Sequence, residues 1–408
     1  MSAEGAAAPA VSIIVPVCNQ EAYLPTCIRS LQMQTMRNIE ILLVDDGSND
    51  GSAEICDAAE ASDTRMNVLH QKNAGATAAR KAGLRMASAP YVTFVDSDDW
   101  IEPELCETLY DMAVSTGAEL VIGAHFREDE DMQRVERSSL PDGYYHRQRM
   151  ERDVFPKLFH NDFRDAWSIY PYLCGKLFLR RQLQPLLERV DDDIRLGEDA
   201  CVTYPYILQS QSLAIVHRPL YHYAQHEGSQ VRQQLAPRYL GTFQRIYEIL
   251  LDSLIKQDRA LLLEPQLRTY LLTTMLLPRC YDLLLELSAY DFVFPFRDVP
   301  AGSRVIIYGA GVWGTSLHNF LHRTKLADVV LWLDARAPSL RKYGLAVSSL
   351  QEVGNWPAYD HVLIVIMKSS TAQRVRKDLI EHGVSESKIE VVDEVYVTSD
   401  ETWRRFGF

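Results

Sequence analysis

Residues 11–24 read VSIIVPVCNQEAYL, residues 39–52 read IEILLVDDGSNDGS, and residues 91–100 read YVTFVDSDDW. In each stretch a continuous apolar run, at 11–17, 39–44 and 91–95, predicts a buried strand, and polar or acidic residues follow directly where that strand ends. Segments with helical spacing, at 23–34 and 76–87, lie between these strands. Apolar strands that alternate with helices predict a mostly parallel sheet covered on both faces. The expected fold class is therefore α/β.

The polar residues that follow these strands should lie together, because ligands of such sheets bind at the carboxyl ends of the strands. Asn19 follows the first strand, Asp46 the second, and Asp96 with Asp98 the one at 91–95. Two carboxylates one residue apart in a tight turn can chelate one divalent ion, and such hard oxygen ligands suit Mg²⁺ or Mn²⁺. The same acidic turn also makes a good helix cap, so both interpretations stay open at this point.

The composition excludes several classes of protein. The chain has 408 residues, and 42 Lys and Arg against 55 Asp and Glu give a formal charge of −13, which argues against a general nucleic-acid binder. Seven cysteines without a CxxC pair are typical of reduced thiols. The N-terminus lacks the pattern of a signal peptide, and no apolar run approaches the ~18 residues of a membrane span. We expect a soluble, cytoplasmic protein.

The length predicts two or three domains. A region rich in leucine with helical periodicity ends at Asp291–Gly302, whose prolines and glycine indicate a domain junction. A second series of strands and helices begins after it. The expected segments are a tail at 1–10, a first domain at 11–235 with parts 11–125 and 126–235, a helical linker region at 236–300, a second α/β domain at 301–398 and a tail at 399–408.

A glycine-rich turn, Gly309-Ala-Gly311-Val-Trp-Gly314, follows the expected strand at 304–308, and Asp334 ends the next strand. This order and spacing are typical of a dinucleotide-binding fingerprint, which would make a second nucleotide site for NAD(P). The segment is about half the length of a full dinucleotide domain, however, and Trp313 is bulky for a phosphate loop. The alternative is a structural or oligomerising domain, in which case the protein would be a homo-oligomer.

Four segments together resemble the inverting family-2 glycosyltransferases of the GT-A fold: VSIIVPVCNQEAYL, VDDGSNDGS (44–52), NAGATAARKAG (73–83) and VDSDDW (95–100). Each is a weak signal alone, but their shared order over roughly the first 120 residues is specific. The resemblance implies a GT-A catalytic domain followed by a small Rossmann-like C-terminal domain. The sequence departs from the family at Cys18, where Tyr is common, and at Lys81, where Asn is more usual.

The middle region continues the resemblance. Leu196-Gly197-Glu198-Asp199 resembles the acidic base motif of the family, and Cys174-Gly175-Lys176-Leu177-Phe178 resembles its KL(F/Y) segment. The resemblance implies that Asp199 is the general base, while Glu198 contacts the acceptor or is itself the base. A helix cap is the structural alternative for this pair of acids.

The resemblance also implies a reaction and its partners. A sugar would pass from a UDP-sugar donor to a glycan or lipid-linked saccharide acceptor in surface polysaccharide synthesis, with Mn²⁺ or Mg²⁺ on Asp98 and Asp96 and no nucleic-acid partner. The enzyme could then associate peripherally with the inner face of the membrane. His226 and His222 are candidates for contact with the diphosphate or the metal, although lone histidines are more often surface or core residues. Among the implied donor-binding residues, Asp46 would read the base and Arg80 would contact the base or the diphosphate. The full implied set is Pro16, Asn19, Glu21, Asp46, Asn73, Gly75, Arg80 and Asp96.

Three other functions compete with this one. An NAD(P)-dependent, sugar-active oxidoreductase would be centred on Gly309–Gly314 and Asp334, but no YxxxK or other hydride-transfer partner is evident nearby. A nucleotidyltransferase on a similar fold would need a glycine-rich activating loop after its first strand, and that loop is absent from the sequence. The third alternative is a scaffold that binds nucleotide-sugars without catalysis. It applies only if Asp98 or Asp199 lies away from the site where the reaction would take place.

Overall fold

The computed structural model describes residues 8–129, 132–159, 168–224, 239–276, 296, 299–342, 344–366, 369–392 and 403. These residues separate into two compact units, which are described one at a time. The first is built on a ten-stranded sheet and takes in residues 8–159, 168–224 and 248–264. The second is built on a four-stranded sheet and takes in residues 239–247 and 265 onwards.

The large sheet is mixed. Its strands are β1 Val11–Val17, β2 Ile39–Asp46, β3 Met66–Gln71, β4 Tyr91–Phe94, β5 Trp100–Ile101, β6 Leu120–Asp129, β7 Met132–Glu136, β8 Gly143–His146, β9 Lys176–Leu179 and β10 Ser212–Ala224. The order is β3-β2-β1-β4-β9-β6-β10-β5, with β7 on β6 and β8 on β10. The first four strands are parallel, β9 runs antiparallel between β4 and β6, and β10 is parallel to β6.

The predicted α/β class is confirmed, and β1 has the predicted bounds. All seven residues of β1 are buried, as expected of a parallel strand covered on both faces. The helices up to residue 270 are α1 Leu24–Gln32, α2 Ser52–Ser62, α3 Ala76–Met86, α4 Leu105–Thr116, α5 Arg147–Asp153, α6 Arg180–Leu187, α7 Glu198–Gln209, α8 Tyr239–Lys256 and α9 Ala260–Tyr270. A 3₁₀ turn at Phe155–Lys157 and a π-helical segment at Leu271–Leu276 add to these.

Helix α3 lies unusually close to the sheet. A Cβ atom on Gly83 would come within 2.5 Å of the Ile14 Cγ2 atom and 3.2 Å of the Val44 Cγ2 atom. Only glycine allows this approach, because Cβ contacts under about 3 Å do not occur without a shift. The small residues of the 73–83 segment thus bring the polar start of α3 to the ends of β1 and β2.

The second unit contains a parallel sheet of order β12-β11-β13-β14. Its strands are β11 Arg304–Tyr308, β12 Asp328–Leu333, β13 His361–Ile364 and β14 Ile389–Val391, and its later helices are α10 Val312–Thr324, α11 Ala337–Lys342 and α12 Ser369–Glu381, with 3₁₀ turns at Leu350–Glu352 and Glu386–Lys388. A second α/β sheet is therefore present where it was expected, while its Rossmann-like character stays a prediction. In the described part of the chain, none of the helices combines the length and the apolar character needed to cross a membrane.

Candidate active site

Three adjacent strands, β2, β1 and β4, deliver the predicted polar residues to one edge of the sheet. Asn19 has a positive φ of 55°, and its side-chain oxygen accepts the Asn49 N–H at 2.7 Å. The Glu21 carboxylate accepts the Gly51 N–H at 3.1 Å. These two exposed side chains therefore fix the loop between β2 and α2, and Pro16 is buried in β1.

Asp46 joins the end of β2 to the start of α3. The residue is only 2% exposed, and its carboxylate accepts hydrogen bonds from the backbone N–H groups of Ala74 at 2.9 Å and Gly75 at 2.7 Å. The Gln71 side-chain amide donates to the same carboxylate at 2.7 Å. Asn73 completes the junction, because its side-chain amide donates to the Asp46 carbonyl at 2.9 Å. Reading of a base by Asp46 stays a prediction, and the structure shows the carboxylate ordering this loop.

Arg80 is the centre of the site. Its buried guanidinium donates to Asp96 Oδ1 at 2.9 Å through one terminal nitrogen. The other terminal nitrogen lies 3.3 Å from Glu198 Oε1 and 3.4 Å from Asp199 Oδ1. The arginine side chain is only 6% exposed. One cation therefore connects the acidic turn after β4 with the two acids at the start of α7, which lie about 100 residues later in the chain.

The two acids of α7 differ in their surroundings. Burial, together with the Asp199 carboxylate, raises the pKa of Glu198 to about 7. Burial also raises the pKa of Asp199, but Arg80 and a hydrogen bond from the Leu173 N–H at 3.3 Å oppose that rise. Two neighbouring carboxyls with unequal stabilisation of their ionised forms can divide proton-accepting and proton-holding roles between them.

The acidic turn itself is rigid at one end and accessible at the other. Asp99 is 2% exposed and accepts hydrogen bonds from the Tyr221 hydroxyl at 2.5 Å and the Ala224 N–H at 2.8 Å. Burial, followed by the charges of Asp96 and Asp98, raises the pKa of Asp99 well above its ordinary value. Asp96 and Asp98 are half-buried and lie beside this anchor. Asp99 thus holds the turn, and the carboxylates of Asp96 and Asp98 remain near solvent.

Comparison with known proteins identifies the family. The profile of Glycosyl transferase family 2 matches residues 12–183. The uncharacterized glycosyltransferase EpsJ of Bacillus subtilis is 30% identical over 242 residues, which cover 59% of this chain and 68% of EpsJ. The chain belongs to glycosyltransferase family 2.

Other relatives match a smaller share of their length. Glycosyltransferase GlyA of Streptococcus pneumoniae is 37% identical over 220 residues, or 54% of this chain and 31% of GlyA. Among solved structures, Staphylococcus aureus TarS 1–349 in complex with UDP-GlcNAc aligns with a TM-score of 0.50 and 17% identity, over 76% of this chain and 80% of that one. This likeness supports the GT-A fold for the family-2 unit.

The predicted metal ligands fit a hard divalent ion. Asp96 and Asp98 offer carboxylate oxygens, and Mg²⁺ is commonly held by one or two carboxylates together with water and substrate phosphates. Within the described residues, no group of three or more His, Cys, Asp or Glu side chains is arranged to hold a metal. The oxygens of a donor diphosphate and water would supply further ligands to an ion bound by Asp96 and Asp98.

The departure of this family member at Lys81 has a structural explanation. The Lys81 ammonium donates to the Val190 carbonyl at 2.5 Å and to Asp192 Oδ1 at 2.6 Å. A Cβ atom on Gly75 would also lie 3.4 Å from the Asp192 carbonyl. The small-residue face of α3 therefore receives the loop that leads to Glu198 and Asp199.

Two site residues were not assigned from the sequence. Lys176 is 2% exposed and donates to the Tyr172 carbonyl at 2.5 Å, and burial lowers the pKa of its ammonium to about 8. Tyr221 links the Asp96 N–H, at 3.1 Å, to the Asp99 carboxylate. The alternation in Tyr221-His222-Tyr223 places both tyrosines on one face of β10, which is the sequence signal that could have indicated Tyr221.

The histidines of the predicted site have different outcomes. His226 lies outside the described residues. The ring of His222 is enclosed, since its nitrogens lie 2.7 Å from Glu128 Oε1 and 2.9 Å from Glu102 Oε1. It also stacks on Trp100 with ring centroids 4.9 Å apart. In the described structure, both of its ring nitrogens thus face carboxylates of the protein.

The glycine-rich turn of the second unit is held by its own neighbours. A Cβ atom on Gly314 would lie 2.1 Å from the Gly309 carbonyl oxygen, so only glycine fits there. Asp334 Oδ2 accepts the Ala310 N–H at 2.7 Å, and the Trp332 indole donates to the Gly309 carbonyl at 2.9 Å. Gly311 begins α10 in an extended conformation. These contacts explain the spacing of the motif, and a nucleotide site at this turn stays a prediction.

Proposed function

We propose that this protein is a metal-dependent, inverting glycosyltransferase that uses a UDP-sugar donor. The acceptor would be a glycan or lipid-linked saccharide in surface polysaccharide synthesis. The observation that carries the proposal is the ion-pair network of Arg80, which joins Asp96 to Glu198 and Asp199. The network brings two groups together. The acidic turn has the carboxylates to hold a cation that binds a diphosphate, and the two acids of α7 can accept a proton.

Asp199 is the general base in this proposal. It would accept the proton of an acceptor hydroxyl as that oxygen attacks the anomeric carbon of the donor. Arg80 and the Leu173 N–H favour the ionised form of Asp199, which is the form that can accept a proton. Glu198, whose pKa burial raises to about 7, holds a proton more readily and would bind the acceptor through hydrogen bonds.

The stereochemistry follows from a single displacement. The acceptor oxygen enters opposite the departing diphosphate, so the new glycosidic bond has the inverted anomeric configuration. No covalent intermediate on the protein is needed, because the attacking oxygen belongs to the acceptor. A divalent ion on Asp98 and Asp96 would supply Lewis-acid stabilisation of the leaving diphosphate. An acidic protein of charge −13 has particular need of such a cation to bind an anionic donor.

In this proposal the loops after β1 and β2 form the binding site for the donor nucleotide. Asn19, Glu21, Asp46 and Asn73 fix these loops relative to one another, as their hydrogen bonds to Asn49, Gly51, Gly75 and the Asp46 carbonyl support. TarS, which shares the fold, is known in complex with UDP-GlcNAc. Peripheral membrane association, a homo-oligomeric state and NAD(P) binding by the second unit are further predictions that these contacts do not address.

The proposal is tested by measuring UDP release from a panel of UDP-sugars, with Mn²⁺, with Mg²⁺ and with EDTA. We expect release with at least one donor in the presence of metal and little in EDTA. A control panel of GDP- and CMP-sugars checks the nucleotide. Equal release in EDTA would contradict the metal requirement, and release from GDP-sugars alone would contradict the donor assignment.

A further inference from the structure

Three tyrosines form a stacked row beside the proposed catalytic groups, and we name Tyr170, Tyr172 and Tyr223 the tyrosine ladder. The ring centroids of Tyr170 and Tyr172 are 5.7 Å apart, those of Tyr172 and Tyr223 are 5.9 Å apart, and both pairs are tilted by only 24°. Each of the three residues is half-buried, so each keeps part of its surface in solvent. Half-buried aromatic rings in a row are not an ordinary core arrangement.

The ladder connects the two ends of the proposed reaction. Tyr172 precedes Leu173, whose N–H donates to Asp199 Oδ2 at 3.3 Å. At the other end, Tyr223 precedes Ala224, whose N–H donates to Asp99 Oδ1 at 2.8 Å. The backbone of the ladder is therefore adjacent to residues that hydrogen-bond the proposed base at one end and the acidic turn at the other.

Polar side chains of neighbouring strands border the ladder. Tyr223 of β10 lies opposite Arg127 of β6, and His125 of β6 lies opposite Glu136 of β7. Residues in register point to the same face of a sheet. The His125 ring contacts Tyr170 and Tyr172 edge-on, with centroids 5.1 and 5.6 Å apart. Arg127 is paired with Glu136 at 3.4 Å, and Arg134 of β7 lies opposite Arg127, so the surface combines aromatic rings with hydrogen-bonding groups of both charges.

We propose that the tyrosine ladder is the binding surface for a neutral pyranose ring of the acceptor, an inference that rests on the proposed function. The parts of the tyrosine π faces that the stacking leaves uncovered carry partial negative charge, which suits the C–H face of a pyranose, and the hydroxyls suit its polar edge. Burial, followed by the charges of the acidic turn, raises the pKa of Tyr223 to about 12, and these negative charges favour an uncharged sugar over an anionic one. In this proposal a ring bound there presents a hydroxyl to Asp199, whose Oδ2 atom accepts the N–H of the residue that follows Tyr172.

The test uses the full chain and saturation-transfer difference NMR with methyl β-glucoside, methyl β-galactoside and methyl α-mannoside, with UDP measured in parallel. Tyr223→Ala should weaken binding of the responding glycoside about two- to tenfold, the scale of a lost aromatic contact. Tyr223→Leu, which keeps apolar volume for folding, should lose as much, whereas Tyr223→Phe should bind like the wild type. Tyr110→Ala, at a half-buried tyrosine that packs on Tyr91, is the matched control.

The outcomes separate this inference from the proposed function. Loss of glycoside binding in Tyr223→Leu with unchanged UDP affinity supports the ladder. Equal glycoside affinity in Tyr223→Leu and Tyr223→Phe overturns it, because the aromatic face would then contribute nothing. Absence of any glycoside signal in the wild type, with UDP bound, also overturns it. If the glycoside binds through Tyr223 but no UDP-sugar or metal effect is found, the proposed function fails and the saccharide site stands.

Discussion

Replacing Arg80 tests whether one buried cation holds the site together. In Arg80→Met the side chain keeps much of its volume, but Asp96, Glu198 and Asp199 lose a guanidinium that lies 2.9 to 3.4 Å from their oxygens. Breaking a buried ion pair by removing one partner costs about 3–5 kcal/mol. Because the Asp96 side chain is 33% exposed and solvent screens that pair, we expect the lower value, about 3 kcal/mol, at pH 8.

The pH dependence distinguishes lost charge from lost packing. Without Arg80, the folded-state pKa values of Glu198 and Asp199 rise further above their unfolded values. A carboxyl whose folded pKa is raised causes no loss of stability below its unfolded pKa, and the loss grows as pH rises through the folded pKa. The destabilisation of Arg80→Met should therefore be small near pH 4.5 and full at pH 8. The acid limb of the pH–rate profile should also move to higher pH.

The assay is urea unfolding followed by circular dichroism at both pH values. Arg85→Met is a matched control on the same helix, because Arg85 makes an exposed ion pair with Glu188 at 2.6 Å. Exposed pairs contribute about 0.2–1 kcal/mol, so this variant should change little at either pH. The reasoning is refuted if Arg80→Met loses the same free energy of unfolding at pH 4.5 and pH 8, or no more than Arg85→Met.

Three further predictions follow from the same contacts. Asp98→Ala should abolish metal-dependent UDP release and leave the melting temperature unchanged. Asp111 is an exposed acid on α4, and Asp111→Ala should retain metal-dependent UDP release; full activity of Asp98→Ala would show that Asp98 is not a metal ligand. The free energy of unfolding of the wild type should fall by up to about 3 kcal/mol as pH rises from 4.5 to about 7, because Glu198 titrates in this range. Denaturant unfolding of Glu198→Gln should show no such fall, and identical pH profiles for the two proteins would contradict the raised pKa of Glu198. Tyr221→Phe should lower the free energy of unfolding by about 1–3 kcal/mol, because the buried Asp99 carboxylate loses its hydroxyl donor; a neutral substitution would show that water replaces it.

Local patterns predicted the first half of the sheet well. The apolar runs of β1, β2 and β4 are bounded by polar residues, so their ends lie within two residues of the predicted positions. Strand β11 was also predicted at its observed bounds. Such strands are specified by their own composition, because parallel strands are buried on both faces.

Long-range pairings could not be predicted in this way. Strand β9 lies between β4 and β6 in antiparallel orientation, which no spacing within residues 176–179 indicates. Arg80 was expected to contact the base or diphosphate of a donor, and its contacts with Glu198 and Asp199 join residues 118 and 119 positions apart. Side-chain networks of this kind depend on how α7 packs against α3 and β4, which a motif cannot encode. The donor role of Arg80 stays a prediction beside this observed one.

In the proposed mechanism Asp199 takes the proton from the attacking hydroxyl of the acceptor. The turnover number of Asp199→Asn tests this most directly. Asparagine keeps the size of the side chain and a hydrogen bond to the Leu173 N–H, but it cannot accept a proton at neutral pH. UDP release in the presence of acceptor and metal should fall at least ~100-fold in kcat, the scale of general-base catalysis. UDP-sugar affinity, measured by calorimetry, should change little. A near-normal kcat in Asp199→Asn, with Glu198→Gln inactive, would contradict the claim and make Glu198 the base.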